Sequence, residues 1–188
     1  PIALCFCAAQ AYDAIGGEIE SIDATLDWCM SAKNDDVAFP GSRMLGVEMA
    51  IALGAVCGDP HAGLEVLHTV TPEGEAKARK VAERVKVNPQ WNLQELEIYC
   101  DIAVHTDKGT GRAVVSQRSD GLILKECNGE ILLELEPDIS AQSGRLPILK
   151  YKVKDFYDMA AGLKEEELAF LKEAVTYNRR LADATLEG

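Results

Sequence analysis

The sequence predicts an α+β fold, an antiparallel meander of four to five strands packed against helices around one buried central helix. Three observations predict it. Residues 44–56 carry Met44, Leu45, Val47, Met49, Ile51, Leu53 and Val56 all round a helical axis, with Glu48 the one charge among them; a helix apolar on every side belongs in a core. Residues 96–135 change period and alternate in short runs, separated by Asp107-Lys108-Gly109, Ser119-Asp120-Gly121 and Asn128-Gly129. Asp-Gly and Asn-Gly between apolar runs are the strongest short-range hairpin signals. The flanking segments 72–85 and 164–184 are amphipathic with the helical period, so they read as elements laid against the other two.

The bulk numbers exclude several classes. At 188 residues the chain is long enough for one well-buried core that hides roughly two-thirds of its extended surface. A net charge of −12 and a pI near 4.7 argue against nucleic acid or an anionic membrane as partner, since both need a basic footprint. No apolar run reaches the roughly 18 to 20 residues of a membrane span. The six cysteines, Cys5, Cys7, Cys29, Cys57, Cys100 and Cys127, form no CxxC. Most fall among apolar neighbours and read as reduced core residues of a cytoplasmic protein.

Taken in order, residues 2–14 read as a largely buried helix ended by Gly16-Gly17. Residues 19–30 alternate, with Ile22, Ala24, Leu26, Trp28 and Met30 on one side and Ser21, Asp23, Thr25, Asp27 and Cys29 on the other. That is a half-buried strand, placed in the same sheet. Residues 33–36 are polar turn material, 37–39 a short strand, and Pro40-Gly41 a sharp turn. The central helix starts at Ser42. Gly46 and Gly54 each cost it about 1 kcal/mol relative to Ala, which the close approach of another backbone would explain. Gly58-Asp59-Pro60 stops it, and residues 63–70 form a short helical piece.

Thr71-Pro72-Glu73 places a capping Thr before a Pro at the first helical position. The helix it opens runs to about Val85, with Ala78, Val81, Ala82 and Val85 inward. Lys77, Arg79, Lys80, Glu83 and Arg84 form an outward, solvated basic face. Strands follow at 96–104, 111–118, 122–127 and 130–135. Residues 137–147 are polar, either a domain boundary or a loop crossing the sheet. Beyond them lies a C-terminal helical segment, 153–184, whose long helix puts Leu168, Leu171, Val175 and Leu181 on its buried side. The chain reads as a single α+β domain over 1–188 with that internal boundary. It also reads as a piece of a longer protein, because Pro1 leads into helical sequence with no residue before it to cap the helix.

Candidate chemistry is sparse. Gly41 and Ser42 lead into the central helix, where free backbone N–H groups, the Ser42 hydroxyl and Arg43 suit a carboxylate or phosphate; Ser42 as a plain helix cap is the alternative. Lys33 and Asn34 follow a strand, a place from which side chains reach ligands, although a polar run of this kind is more often a solvated turn. Glu48, in the second turn of an apolar helix, must pair, sit at the helix dipole or be exposed. Asn178 lies three residues from Val175, near the apolar stripe of the last helix, and is either an interface amide or a group facing a cleft. His61, His68 and His105 make no HExxH, and Cys5 and Cys7 point to different sides of a helix, so no metal ligand is assigned. GxGxxG and Walker loops are absent, and spacing alone names no catalytic residue.

Pro1-Ile2, Lys33-Asn34, Val37-x-x-Pro40-Gly41, Gly46, Ala50-x-Ala52-Leu53-Gly54-Ala55-x-x-Gly58 and Gly63-Leu64-Glu65-Val66-Leu67 together resemble the L-cysteine desulfidase family, related to the α-chain of iron–sulfur L-serine dehydratases. The similarity runs on more weakly through Cys127-Asn128-Gly129 and residues 174–178. It implies the first half of a lyase, less a short N-terminal segment. Such a lyase uses a [4Fe–4S] cluster to convert L-cysteine or L-serine to pyruvate and ammonia, with sulfide or water released. The implied partners are the amino-acid substrate and the C-terminal half of the parent protein, with a homo-oligomer left open. The resemblance and the physics of the helix start together select Lys33, Asn34, Gly41 and Ser42 for the substrate's carboxylate side, with Glu48 and Asn178 behind them.

The family's cluster cysteines match none of the six here, so this chain is expected to hold no cofactor itself and to be inactive alone. Where the family carries His-Thr before the third meander strand, this chain has Arg118-Ser119. That departure keeps a second reading open, a non-catalytic small-molecule-binding or regulatory module of the same fold. Without the resemblance, the residues describe an acidic structural or interaction domain.

Overall fold

The computed structural model describes residues 1–34, 37–39, 44–91, 98–137 and 150–187. The chain divides into two compact units, Pro1–Ala141 and Gln142–Gly188. The first holds α1 (Ile2–Ile15), β1 (Ile19–Asp27), α2 (Trp28–Asn34), α3 (Val47–Cys57), a 3-10 turn (Gly63–Glu65), α4 (Pro72–Ala82), β2 (Val85–Gln90), β3 (Tyr99–Thr106), β4 (Gly109–Ser116), β5 (Leu122–Cys127) and β6 (Glu130–Glu134). The second holds α5 (Val153–Gly162), a 3-10 turn (Glu166–Leu168) and α6 (Ala169–Glu187).

The six strands form one sheet in the order β2-β1-β3-β4-β5-β6. The fold is α+β, but the four to five antiparallel strands expected become six, and β2 runs parallel to β1. Val85-Lys86-Val87-Asn88-Pro89-Gln90 escapes a sequence reading because it is short, half polar and contains Pro89. An edge strand tolerates a proline whose missing N–H faces away from the ladder. The parallel pairing follows from its connection, since the chain leaves β1, crosses through α2, α3 and α4, and returns in the same direction.

Two further expectations are corrected along β1 and α3. The strand ends at Asp27, and Trp28 and Met30 lie on α2; the buried Asp27 carboxylate accepts from the Cys29 backbone N–H at 2.9 Å and turns the strand into a helix. Residues 37–39 form no strand. The central helix begins at Val47, not Ser42, because Gly46 takes φ +100°, which a right-handed helix cannot contain. The proposed turn at Pro40-Gly41 lies outside the described residues.

One face of the sheet is the core face. Ile22, Ala24 and Leu26 of β1, Cys100, Ile102 and Val104 of β3, and Ala113 and Val115 of β4 are buried there beneath α1, with α3 alongside and α4 against α3. Each fully buried Leu or Ile contributes roughly 1.5–3 kcal/mol. Helices α1 and α3 meet at their smallest residues. A Cβ at Gly54 would collide with the Cys5 backbone, and one at Gly58 with Ala9, so the close approach inferred from the sequence is real at Gly54. The β5–β6 hairpin turns on Asn128 (φ 50°) and Gly129 (φ 82°), the left-handed pair that a tight two-residue hairpin requires. Asn128 also accepts from Thr110 N at 2.9 Å, tying the turn to β4.

In the second unit Asp155 accepts from the Lys152 backbone N–H at 2.6 Å and caps α5. Leu171, Val175 and Leu181, expected on a buried side, are 52%, 66% and 69% exposed. Two helices do not enclose their own apolar stripes, and none of the described residues 150–186 is buried.

Candidate functional site

The residues selected from the sequence fall in separate places. Lys33 is exposed in the last turn of α2, and makes no ion pair among the described residues. Asn34 ends the same helix almost completely buried, its side-chain amide donating to the Met30 carbonyl one turn back. That bond fixes the amide and uses one donor. Gly41 and Ser42 lie outside the described residues. Glu48 stands in the first turn of α3, exposed at the positive end of the helix dipole. It lines a hollow of about 390 Å³ with Met44, Leu45, Met49, Arg79, Ala82 and Glu83; neither Lys33 nor Asn34 reaches this hollow. Asn178 sits in the second unit on α6, exposed, its amide donating to the Ala174 carbonyl at 3.0 Å.

Cys5, Cys7 and Cys100 are buried packing groups, whereas Cys57 and Cys127 are half-buried and Cys29 is exposed. Cys7 donates to the Ala113 carbonyl at 3.2 Å, and Cys100 to the Ala3 carbonyl at 3.7 Å. Burial pushes the Cys5 thiol up to about 12 and the Cys7 thiol well above its ordinary value. A thiol that keeps its proton is neither nucleophile nor metal ligand. Among the described residues no group of three His, Cys, Asp or Glu could hold a metal ion, so these residues do not fit an iron–sulfur cluster.

The open face of the sheet carries polar networks that sequence order does not reveal. Arg112 of β4 pairs with both oxygens of Asp101 on β3 at 2.8 Å, and with Glu126 on β5 at 2.7 Å; the two carboxylates hold its guanidinium charge more firmly than usual. Further along, His105 of β3 contacts Asp23 of β1 at 3.0 Å and the Thr110 hydroxyl of β4 at 2.9 Å. Nucleophile-like, base and orienting groups thus stand in a row, but Asp23 is more than half exposed and none of the three lines a cavity described for this chain, so the row serves as a cross-strand pin. Alternation places Asp23 and His105 on one face; the register that joins them is a tertiary fact.

Sequence reasoning also passed over a cleft. The face of α4 taken as solvated lines a cavity of about 490 Å³, with Lys77, Lys80, Val81 and Arg84 opposite Tyr12, Glu18 and Ile19. The available signal was three cations at i, i+3 and i+7 in a strongly acidic chain.

No protein-family model matches the chain, and no solved structure does. It is similar to a UPF0597 protein of Clostridium botulinum (strain Langeland), 29% identical over 195 residues that cover all of this chain and 45% of the relative. A UPF0597 protein of Phocaeicola vulgatus is 28% identical, with all of this chain and 44% of the relative covered. One from Actinobacillus pleuropneumoniae serotype 3 is 26% identical, with 99% and 43% covered. The chain therefore spans less than half the length of these curated relatives. Its homologues are UPF0597 proteins, a name that states neither substrate nor reaction.

Proposed function

We propose that this chain is the N-terminal part of a lyase that acts on L-cysteine or L-serine, yielding pyruvate and ammonia with sulfide or water. The parent protein would carry a [4Fe–4S] cluster supplied by residues outside those described here, because no described group of three His, Cys, Asp or Glu could hold a metal ion and burial keeps Cys5 and Cys7 protonated. The reading is supported by the motif string and by the fact that packing accounts for only part of it. Gly54 is explained by the α1–α3 contact, and Gly58 by the Gly54 carbonyl together with Ala9, whereas Lys33 is not. It stands exposed beside the immobilised Asn34, without an ion pair among the described residues, in a chain with 31 acidic residues. A cation with no carboxylate partner among the described residues, followed by a fixed amide, suits the carboxylate of an amino acid.

The proposed partner for the exposed apolar residues of α5 and α6 is the remaining half of the parent protein, and the isolated chain is expected to be inactive. The test is a pyruvate assay on the full-length protein after anaerobic loading with iron and sulfide. Lys33→Gln should raise KM about tenfold or more with a smaller effect on kcat, as expected when ground-state binding is lost. An unchanged KM removes Lys33 from the site.

A second reading, a binding module without chemistry, has one observation in its favour. Arg118, which stands at the family's His-Thr position, is tied to Asp120 by paired contacts of 3.1 and 3.2 Å. A turn built on that ion pair has a structural purpose of its own.

A further inference from the structure

We propose that the cleft between α4, the end of α1 and the start of β1 is a binding site for a compact anion with two or more negative charges, the class that includes phosphoryl and dicarboxylate metabolites. Lys77, Lys80 and Arg84 line it against a single carboxylate among the described residues, Glu18, in a chain whose net charge is −12. Lys77 and Lys80 make no ion pair among the described residues. Arg84 likewise makes no ion pair among the described residues, and backbone carbonyls hold it in place. Its Nη1 donates to the carbonyls of Ile19 at 2.9 Å and Glu20 at 3.4 Å, and its backbone carbonyl accepts from Ile22 N at 3.2 Å. The guanidinium is thereby fixed over the first residues of β1 with no ion pair among the described residues, the condition in which an arginine fork recognises a carboxylate or phosphate.

Apolar and polar lining divide the work. Ile19, Val56 and Val81 supply carbon surface, and the Tyr12 hydroxyl is held at the cleft by donating to Gly17 O at 2.9 Å. About 490 Å³ falls in the range of small-molecule pockets. The helix dipole accounts for only part of the charge. Lys80 lies in the last turn of α4 and Arg84 just beyond it, where cations are favoured, but Lys77 stands a turn further back, and the dipole's influence fades within one turn. The cleft is also separate from Lys33 and Asn34, which lie beyond the opposite end of β1, about 26 Å away along a nine-residue strand.

The test is calorimetric titration of the chain, at low ionic strength, with inorganic pyrophosphate and separately with malonate. Saturable one-site binding is expected, weakening as salt is added; tighter pyrophosphate assigns the phosphoryl class, and tighter malonate the dicarboxylate class. Lys77→Gln/Lys80→Gln, at exposed helix positions where Gln preserves helix propensity, should weaken binding by at least about tenfold. Lys86→Gln/Lys172→Gln, which removes the same charge elsewhere, should leave it within about twofold. Far-UV circular dichroism checks that both variants fold. No saturable binding of either anion, or equal losses in the two double variants, would overturn the proposal. Neither result bears on the lyase reading, which involves other residues.

Discussion

At Gly54 two effects of known size oppose each other. In an exposed helix, Gly→Ala stabilises by about 1 kcal/mol, yet here the new methyl would enter the backbone of Cys5 across the α1–α3 contact. Overpacking of a tight core typically costs about 1–3 kcal/mol, and the obstacle is main chain that cannot rotate aside. Gly54→Ala should therefore destabilise by about 2 kcal/mol in urea unfolding; a stabilised variant would show that the helices separate readily. Across that contact the buried thiols make a pH-dependent contribution. Cys5 holds its proton to about 12 in the folded chain, against an ordinary value of 9.0. Between those values the unfolded chain binds fewer protons than the folded one, so stability falls as pH rises. Urea midpoints should drop between about pH 8 and about pH 10.5 under reducing conditions, and Cys5→Ala should flatten that drop.

Among the elements, the β3–β4–β5 ladder is held on its open face by Arg112 between Asp101 and Glu126. Arg112→Met would leave two half-buried carboxylates facing each other, a loss of about 1–2 kcal/mol that should narrow in high salt as repulsion is screened. A salt-independent loss would mean that packing of the arginine stem matters more than its charge. These elements show what a sequence can and cannot disclose. The meander was legible because each turn carries local chemistry, Asn128-Gly129 above all, and α4 because Thr71 accepts from Gly74 N at 3.1 Å as a capping residue should. Trp28 was misplaced because strand alternation continued past Asp27 by chance, while a stack on Trp91 with centroids 4.2 Å apart joins the ends of β1 and β2. The parallel β2, the Asp23–His105 contact and the cleft beside α4 all depend on which strands and helices become neighbours. No local pattern encodes that.

For the whole molecule, the first unit explains its own stability and the second does not. The first has a continuous core from α1 through α3 to the sheet. In the second, Tyr151, Phe156, Tyr157, Phe170 and Leu181 remain exposed, apolar area for which the other half of the parent protein is the proposed partner. Among the described residues no helix is long and apolar enough to cross a membrane. The chain spans less than half of its relatives, and the proposed function makes it one wall of a site shared with the rest of the parent protein. The most direct measurement of that central claim is anaerobic reconstitution of the full-length protein with iron and sulfide, read by its absorption spectrum and by product release from L-cysteine and L-serine. The account predicts a cluster spectrum in the full-length protein, pyruvate release from one of the two amino acids, and neither signal from this chain alone. A full-length protein that takes up no cluster, or a fragment that releases pyruvate unaided, would contradict it.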